Sequence, residues 1–439
     1  MCFDGCMIPT DVEEKSEMKR LSPDSGYNRM SYRDSEKTRI LQEAKKIAEK
    51  TISRSFSDKI NGKRHLSWMG FQGLGDFGYA ITPVGWDMYK GNCGIALYYF
   101  RLAEVTHDTI YSDYAKDILN SVENTFRTAS DTDLRNVGIG AFTGYTGYIY
   151  MICKIREHKW FTKQELGLRT PYVCRMIDYM MNADLSEERI DLLSGLAGAL
   201  GVMVTLYEYI DRYNWKGLVD RKDDIILIMR RISDEIMGRL GVKNTWFENG
   251  DIGFVHGNAG IIAQLARANR YLKDEQIIEA IERVLDYENT ERFDQEKKLW
   301  KLRDGVHYLS WCNGIGGMIL SKIILIEAGY RTELLENGLK RMVSQLAETG
   351  FGVTPCLCHG DMGSLIILKY AAAYLKDKTL ITRCMNSAAD YLDKNVDGKN
   401  ISVREDWGLM TGITGMGFGL LELMENSDCL ASIIQIPFL

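Results

Sequence analysis

Two cysteines and a histidine, Cys312, Cys358 and His359, are the side chains of this 439-residue chain best suited to hold a soft divalent metal. Each stands one or two residues ahead of a Gly-x-x-Gly motif. That motif recurs seven times, beginning at Gly91, Gly144, Gly195, Gly257, Gly314, Gly360 and Gly412. Counting back from the first glycine (G), position G−2 holds Tyr89, Phe142, Leu193, Val255, Cys312, Cys358 and Met410. Position G−1 holds Lys90, Thr143, Ser194, His256, Asn313, His359 and Thr411. Three N/S ligands with an open fourth position describe a catalytic zinc site, whereas a structural one is closed by four. The competing reading is that a cysteine in an apolar setting is a small buried residue; Cys93, Cys153, Cys174 and Cys384 are read that way, and for the trio both readings stand. Cys356, two residues before Cys358, could be a ligand by proximity, but it sits at G−4 and breaks the alignment.

His256 shares the G−1 column with His359, but its own repeat has no cysteine at G−2. It could be a further ligand, a general acid/base titrating near neutrality, or a histidine satisfied by hydrogen bonds. Asp191, at G−4 of the third repeat, reads first as a helix N-cap, because a short carboxylate just ahead of an apolar run accepts N–H bonds there.

The elements that must position these residues follow from the repeat. Each motif opens an apolar run of about one helix, such as ALGVMVTLYEYI after Gly198, and successive motifs start 46 to 62 residues apart. More polar amphipathic stretches, such as Lys222–Arg239, lie between. Paired glycines are costly in helices unless a tight turn or close backbone approach demands them, so each repeat is predicted to be a helical hairpin with its apolar helix buried. Seven inner helices ringed by seven outer ones make an all-α fold, an α/α toroid. Closure would bring the G−1 and G−2 columns to one end of the axis; an open solenoid is the alternative. Residues 1–35 read as a polar linker or tail and 36–439 as the toroid domain. A helix is expected from about Ser35 to Ser57, and a Gly-rich loop from Trp68 to Trp86. Gly73-Leu-Gly-Asp-Phe-Gly78 fits the dinucleotide fingerprint but lacks the strand–turn–helix context, with Pro83 close behind, and is rejected.

Composition excludes several classes of function. A net charge of −6 argues against nucleic acid as main partner. The longest uncharged stretch, Asn136–Cys153, contains four glycines and falls short of the roughly 20 apolar residues of a membrane helix. The opening residues show no apolar signal core, so a cytoplasmic location is expected, with the ten cysteines as free thiols or ligands and no disulfide framework.

Trp311-Cys312-Asn313-Gly314, Cys358-His359-Gly360 and Phe254-Val255-His256-Gly257-Asn258-Ala259-Gly260 resemble the signature blocks of lanthionine synthetases, the LanC-type cyclases. The resemblance runs from about residue 36 onward and is finest to the C-terminal cyclase domain of LanM-type bifunctional synthetases. It implies an α/α toroid, a Zn2+ ion, and formation of lanthionine and methyllanthionine thioether rings in a dehydrated ribosomal precursor peptide. Matched by motif, Cys312, Cys358 and His359 correspond to the zinc ligands, His256 to the proposed acid/base histidine, and Asp191 to the aspartate beside it. Two departures stand out: Asn313 occupies a position where such domains often carry His, and no dehydratase region precedes the cyclase portion. An excised domain, a split protein and a stand-alone cyclase are all compatible with that, and a dehydratase domain or protein is a further expected partner. Alternatives are addition of a separate thiol such as glutathione, zinc or peptide binding without turnover, and a zinc toroid of the prenyltransferase type. The last expects an Asp ligand and a partner chain, which these motifs do not indicate.

Overall fold

Seven apolar helices follow the seven motifs: α2 (Asn92–Thr106), α5 (Thr146–Glu157), α8 (Leu196–Arg212), α10 (Asn258–Leu272), α12 (Ile315–Glu327), α14 (Asp361–Tyr374) and α15 (Ile413–Met424). Among the described residues, six amphipathic helices run outside them: α1 (Asp34–Ile52), α3 (Thr109–Thr128), α7 (Thr170–Asn182), α9 (Lys222–Gly238), α11 (Glu275–Glu291) and α13 (Glu333–Thr349), while α4 (Asp131–Val137) and α6 (Lys163–Gly167) are short connectors. The stretch between α14 and α15, where the seventh outer helix is expected, lies largely outside the described residues. The computed structural model describes residues 34–73, 78–296, 299–302, 309–330, 333–349, 354–380, 382–383, 386 and 406–424. The expected tail, 1–35, therefore lies almost wholly outside the described residues, as does Cys384.

The two helix classes differ as their sequences require. In α12 every residue from Ile315 to Ile326 is buried, so that helix has no solvent face. In α3 the buried residues include Tyr111, Ala115, Ile118, Leu119, Val122 and Phe126, one stripe at helical spacing. Neighbouring inner helices pack in the order α2–α5–α8–α10–α12–α14–α15, and α15 packs back on α2. The layer is closed, which excludes the solenoid. The outer partner of α15 is α1, from the other end of the described chain. Its Ala48 carbonyl accepts the Tyr99 hydroxyl of α2 at 2.8 Å, and its Ala44 carbonyl accepts that of Tyr98. A buried pair, Arg101 Nε on α2 and Glu422 Oε1 on α15 at 2.7 Å, spans the same seam.

The glycines are explained by contact. Five of the seven first glycines cap their helices with extended backbone, φ between −92° and −141° and ψ near 180°. What excludes other residues is space. A Cβ on the second glycine of any motif would lie 1.7 to 2.7 Å from the carbonyl oxygen of the residue six positions earlier. Each pre-helix turn is thus folded hard against the first turn of its own helix.

That turn also carries the seam at the axis. The carbonyl of Phe142 accepts from Tyr89 N–H (3.2 Å), Leu193 from Phe142 (3.0 Å), Val255 from Leu192 (3.0 Å) and Cys312 from Val255 (2.8 Å). Cys358 accepts from Cys312 (3.2 Å), Met410 from Cys358 (2.9 Å) and Tyr89 from Met410 (2.9 Å). The seven acceptors are the seven G−2 residues, so this column forms a closed backbone circuit.

Among the described residues, three small antiparallel hairpins decorate the toroid. β1 (Phe56–Ile60) pairs with β2 (Lys63–Ser67), β3 (Met69–Gly73) with β4 (Tyr79–Pro83), and β5 (Phe293–Asp294) with β6 (Leu299–Trp300). The first two correct the expectation of a helix to Ser57 followed by a loop. The β1–β2 turn is Asn61-Gly62, both residues at positive φ (52° and 77°), the two-residue hairpin signal. Of the dinucleotide-like glycines, Gly73 ends β3 and Gly78 stands just before β4, while Gly75 lies outside the described residues. A strand therefore does lead into the motif, but the next described element is its antiparallel partner β4, where the fingerprint requires a helix.

Candidate metal centre and active site

The backbone circuit sorts the two columns by environment. At G−2 the side chains are buried, Cys312 being half-buried; at G−1 every one reaches solvent, with Lys90 the most exposed. The G−1 residues, all polar, therefore form a cup at the helix-start end of the axis, with the G−2 residues as its floor. Cys312 and Cys358 are consecutive members of the circuit, and His359 follows Cys358 into the cup. Their donor atoms lie within 4.8 Å of one another, the arrangement expected of three ligands around one ion.

The chemistry of this donor set fits zinc or another soft divalent metal. The Cys312 thiol is brought down to about 7 by the hydrogen bond from Cys358, against burial and with help from Ser310 and the His256 charge. Cys358 is pushed up by donating that bond and by burial. One thiolate is therefore already accessible near neutral pH. Burial, and then the Lys90 charge, lower the His359 pKa and favour the neutral imidazole that binds metals. Cys356 is buried nearby and is not one of the three converging residues. Cys93 and Cys153 are buried as expected, and Cys174 is half-buried.

In the repeat next to that of Cys312, His256 Nδ1 stands 3.4 Å from Asp191 Oδ2. The cap reading and the site reading of Asp191 both hold. Its Oδ1 accepts the Ser194 N–H at 2.7 Å, while Oδ2 faces His256 and accepts from Arg189 Nε at 3.2 Å. Although burial raises its pKa, His256, the Ser194 N–H and Arg189 bring the carboxyl below its usual value, so it stays ionised. An ionised acceptor at Nδ1 fixes the ring orientation and leaves Nε2 to exchange a proton. Asn313 lies between His256 and His359 in the cup, and its buried Oδ1 has no hydrogen-bond partner among the described residues.

Five contributors escaped the reading of the sequence: Tyr89, Ser310, Arg189, Ser194 and Lys90. Tyr89 Oη donates to Cys358 Sγ at 3.0 Å, and Ser310 Oγ lies 3.5 Å from Cys312 Sγ. The G−2 column held the signal for Tyr89, the one hydroxyl among otherwise apolar or sulfur side chains. An open basin lined by Tyr207, Glu208, Arg270 and Glu327 lies at the opposite ends of α8, α10 and α12 and contains none of the site residues.

The family described as lanthionine synthetase C-like protein matches residues 82–434, a span that takes in all seven motifs. The lacticin 481/lactococcin biosynthesis protein LcnDR2 of Lactococcus lactis subsp. lactis is 21% identical over 373 residues, 78% of this chain and 36% of that protein. The chain thus spans little more than a third of this relative's length. The structure of nisin cyclase matches with a TM-score of 0.61 at 16% identity, covering 89% of this chain and 94% of that one, a likeness of fold.

Proposed function

The chain belongs to the lanthionine synthetase C-like family, and from that premise we propose that it is a zinc-dependent cyclase. It would form lanthionine and methyllanthionine rings by adding cysteine thiols of a dehydrated ribosomal precursor peptide to dehydroalanine or dehydrobutyrine in the same peptide. Residues 36–439 would be the cyclase domain, acting in the cytoplasm on a peptide prepared by a dehydratase domain or protein. The observation that carries this reading is the convergence of Cys312, Cys358 and His359, with the His256–Asp191 pair in the neighbouring repeats.

Cys312, Cys358 and His359 would hold zinc, which would supply the positive charge that lowers a substrate thiol's pKa toward its thiolate near neutral pH. His256 takes up the proton that the substrate thiol gives off. It returns that proton to the α-carbon once the new C–S bond at the β-carbon has turned the alkene electron pair into an enolate. Asp191 holds the imidazole in the orientation and tautomer that make Nε2 the exchanging atom, and stabilises the ring while it carries the extra proton. Arg189 and Ser194 keep the Asp191 carboxylate in place. The reaction consumes no redox equivalent and no nucleotide.

The test is to supply a peptide containing both dehydroalanine and cysteine and to count alkylatable thiols over time. Loss of one thiol per ring, with no change in peptide mass, is expected. Thiol content that stays constant with zinc-loaded protein would sink the cyclase reading. Adducts with an added external thiol would replace it with an intermolecular reaction.

A further inference from the structure

We infer that Tyr89 is a positioning residue of the metal centre, whose hydroxyl holds the Cys358 sulfur in its ligating orientation and limits the charge that sulfur gives to a bound metal. The inference rests on the zinc reading above.

The geometry is specific. Tyr89 Oη donates to Cys358 Sγ at 3.0 Å, and the tyrosine is only 6% exposed. Tyr89 belongs to repeat one and Cys358 to repeat six, so the side chain reaches past repeat seven, whose Met410 lies between them in the backbone circuit. The tyrosine cannot easily move. Its carbonyl accepts from Met410 N–H (2.9 Å), and its N–H is shared between the Phe142 carbonyl (3.2 Å) and Asp87 Oδ1 (2.8 Å). Its ring meets Phe142 edge-on, with centroids 6.4 Å apart at 84°. A thiolate ligand keeps lone pairs beyond the one it shares with a metal, and a hydroxyl aimed at one of them is a charge-assisted hydrogen bond. Such a partner fixes the direction of the remaining lone pair and tunes the donor strength of the sulfur. Cys312 has the analogous but longer contact with Ser310 Oγ, at 3.5 Å. The two sulfurs therefore differ in support, and Cys358 is the more firmly held.

The experiment compares full-length wild type and Tyr89→Phe, stripped of metal and then titrated with Zn2+ against a chromophoric chelator and with Co2+ alone. Phenylalanine preserves the ring packing and removes only the hydroxyl. Zinc affinity is expected to fall about 10- to 100-fold, as for other outer-shell partners, and the thiolate-to-cobalt charge-transfer band to shift. Unchanged affinity together with an unchanged band would overturn the inference. Phe142→Leu, which loosens the ring contact but keeps the hydroxyl, should leave the band in place; a shift matching that of Tyr89→Phe would assign the effect to packing and also overturn it. If the wild type takes up no equimolar zinc, the zinc reading itself fails, and this inference with it.

Discussion

The N–H of Met410 donates to the carbonyl of Tyr89 at 2.9 Å, and with that hydrogen bond the last repeat is joined to the first. The two residues are 321 positions apart and hold the same place in their repeats. Because every G−2 carbonyl is an acceptor in the circuit, the cysteines at that position are fixed by backbone as well as by packing. A metal centre built there stands on a rigid ring, and the side chains that would act on substrate rise from the adjacent residues.

Replacement of Cys358 by Ala is predicted to abolish stoichiometric zinc and ring formation together, and Cys312→Ala to do the same. Metal analysis of the purified variants checks this. Zinc retained at one equivalent in either variant would remove that cysteine from the ligand set.

His256→Ala is predicted to retain zinc while slowing cyclisation by about 10²–10⁴-fold, the range for a general acid/base. Asp191→Asn keeps an oxygen for the Ser194 N–H and loses the charge facing His256, so it should fold and bind metal but turn over slowly. Metal loss from His256→Ala would make that residue a ligand instead.

Gly415→Ala is predicted to destabilise the protein by about 3 kcal/mol or more, since the new Cβ would lie 1.7 Å from the Leu409 carbonyl oxygen. Gly238→Ala, with nothing within 4 Å, should be neutral or stabilise by up to about 1 kcal/mol. Thermal unfolding distinguishes them, and equal effects would refute the steric account of the motif.

Lys322 Nζ and Glu288 Oε2 form an ion pair at 2.7 Å with side chains 1% and 0% exposed. Removing one partner leaves an uncompensated buried charge, so Lys322→Met should cost about 3–5 kcal/mol, and the double variant Lys322→Met/Glu288→Leu should recover most of it. Chemical denaturation of the three proteins measures the recovery; a double variant no better than the single would show the loss to be one of packing.

Glu104 supplies a pH dependence. Burial raises its pKa, but the hydrogen bond and charge of His158, together with Arg101, outweigh burial and bring it from 4.5 down to about 2. The folded value lies below the unfolded one, so the stability it contributes is present above about pH 4.5 and is lost as pH falls toward 2. Glu104→Gln is predicted to lower stability at neutral pH and to flatten the decline over that interval. A decline as steep as the wild type's would assign it to other carboxylates.

Much of this protein is legible in its residues because the demand that shapes them is local and repeated. A second glycine that cannot carry a Cβ recurs in all seven repeats, and it aligns the columns in which Cys312, Cys358, His359 and His256 stand out. The Asn61-Gly62 turn carries its own local signal too, masked by the helical pattern before it. Tertiary structure alone decided three things: that α1 closes the ring by packing on α15, that Tyr89 reaches Cys358 across an intervening repeat, and that one carboxylate, Asp191, caps its own turn while facing His256 from the next repeat. The third, between residues of neighbouring repeats, depends on how one repeat stacks on the next; the first two depend on the curvature accumulated over hundreds of residues. No local pattern records that curvature, because the contacting groups acquire their partners only when the circle closes.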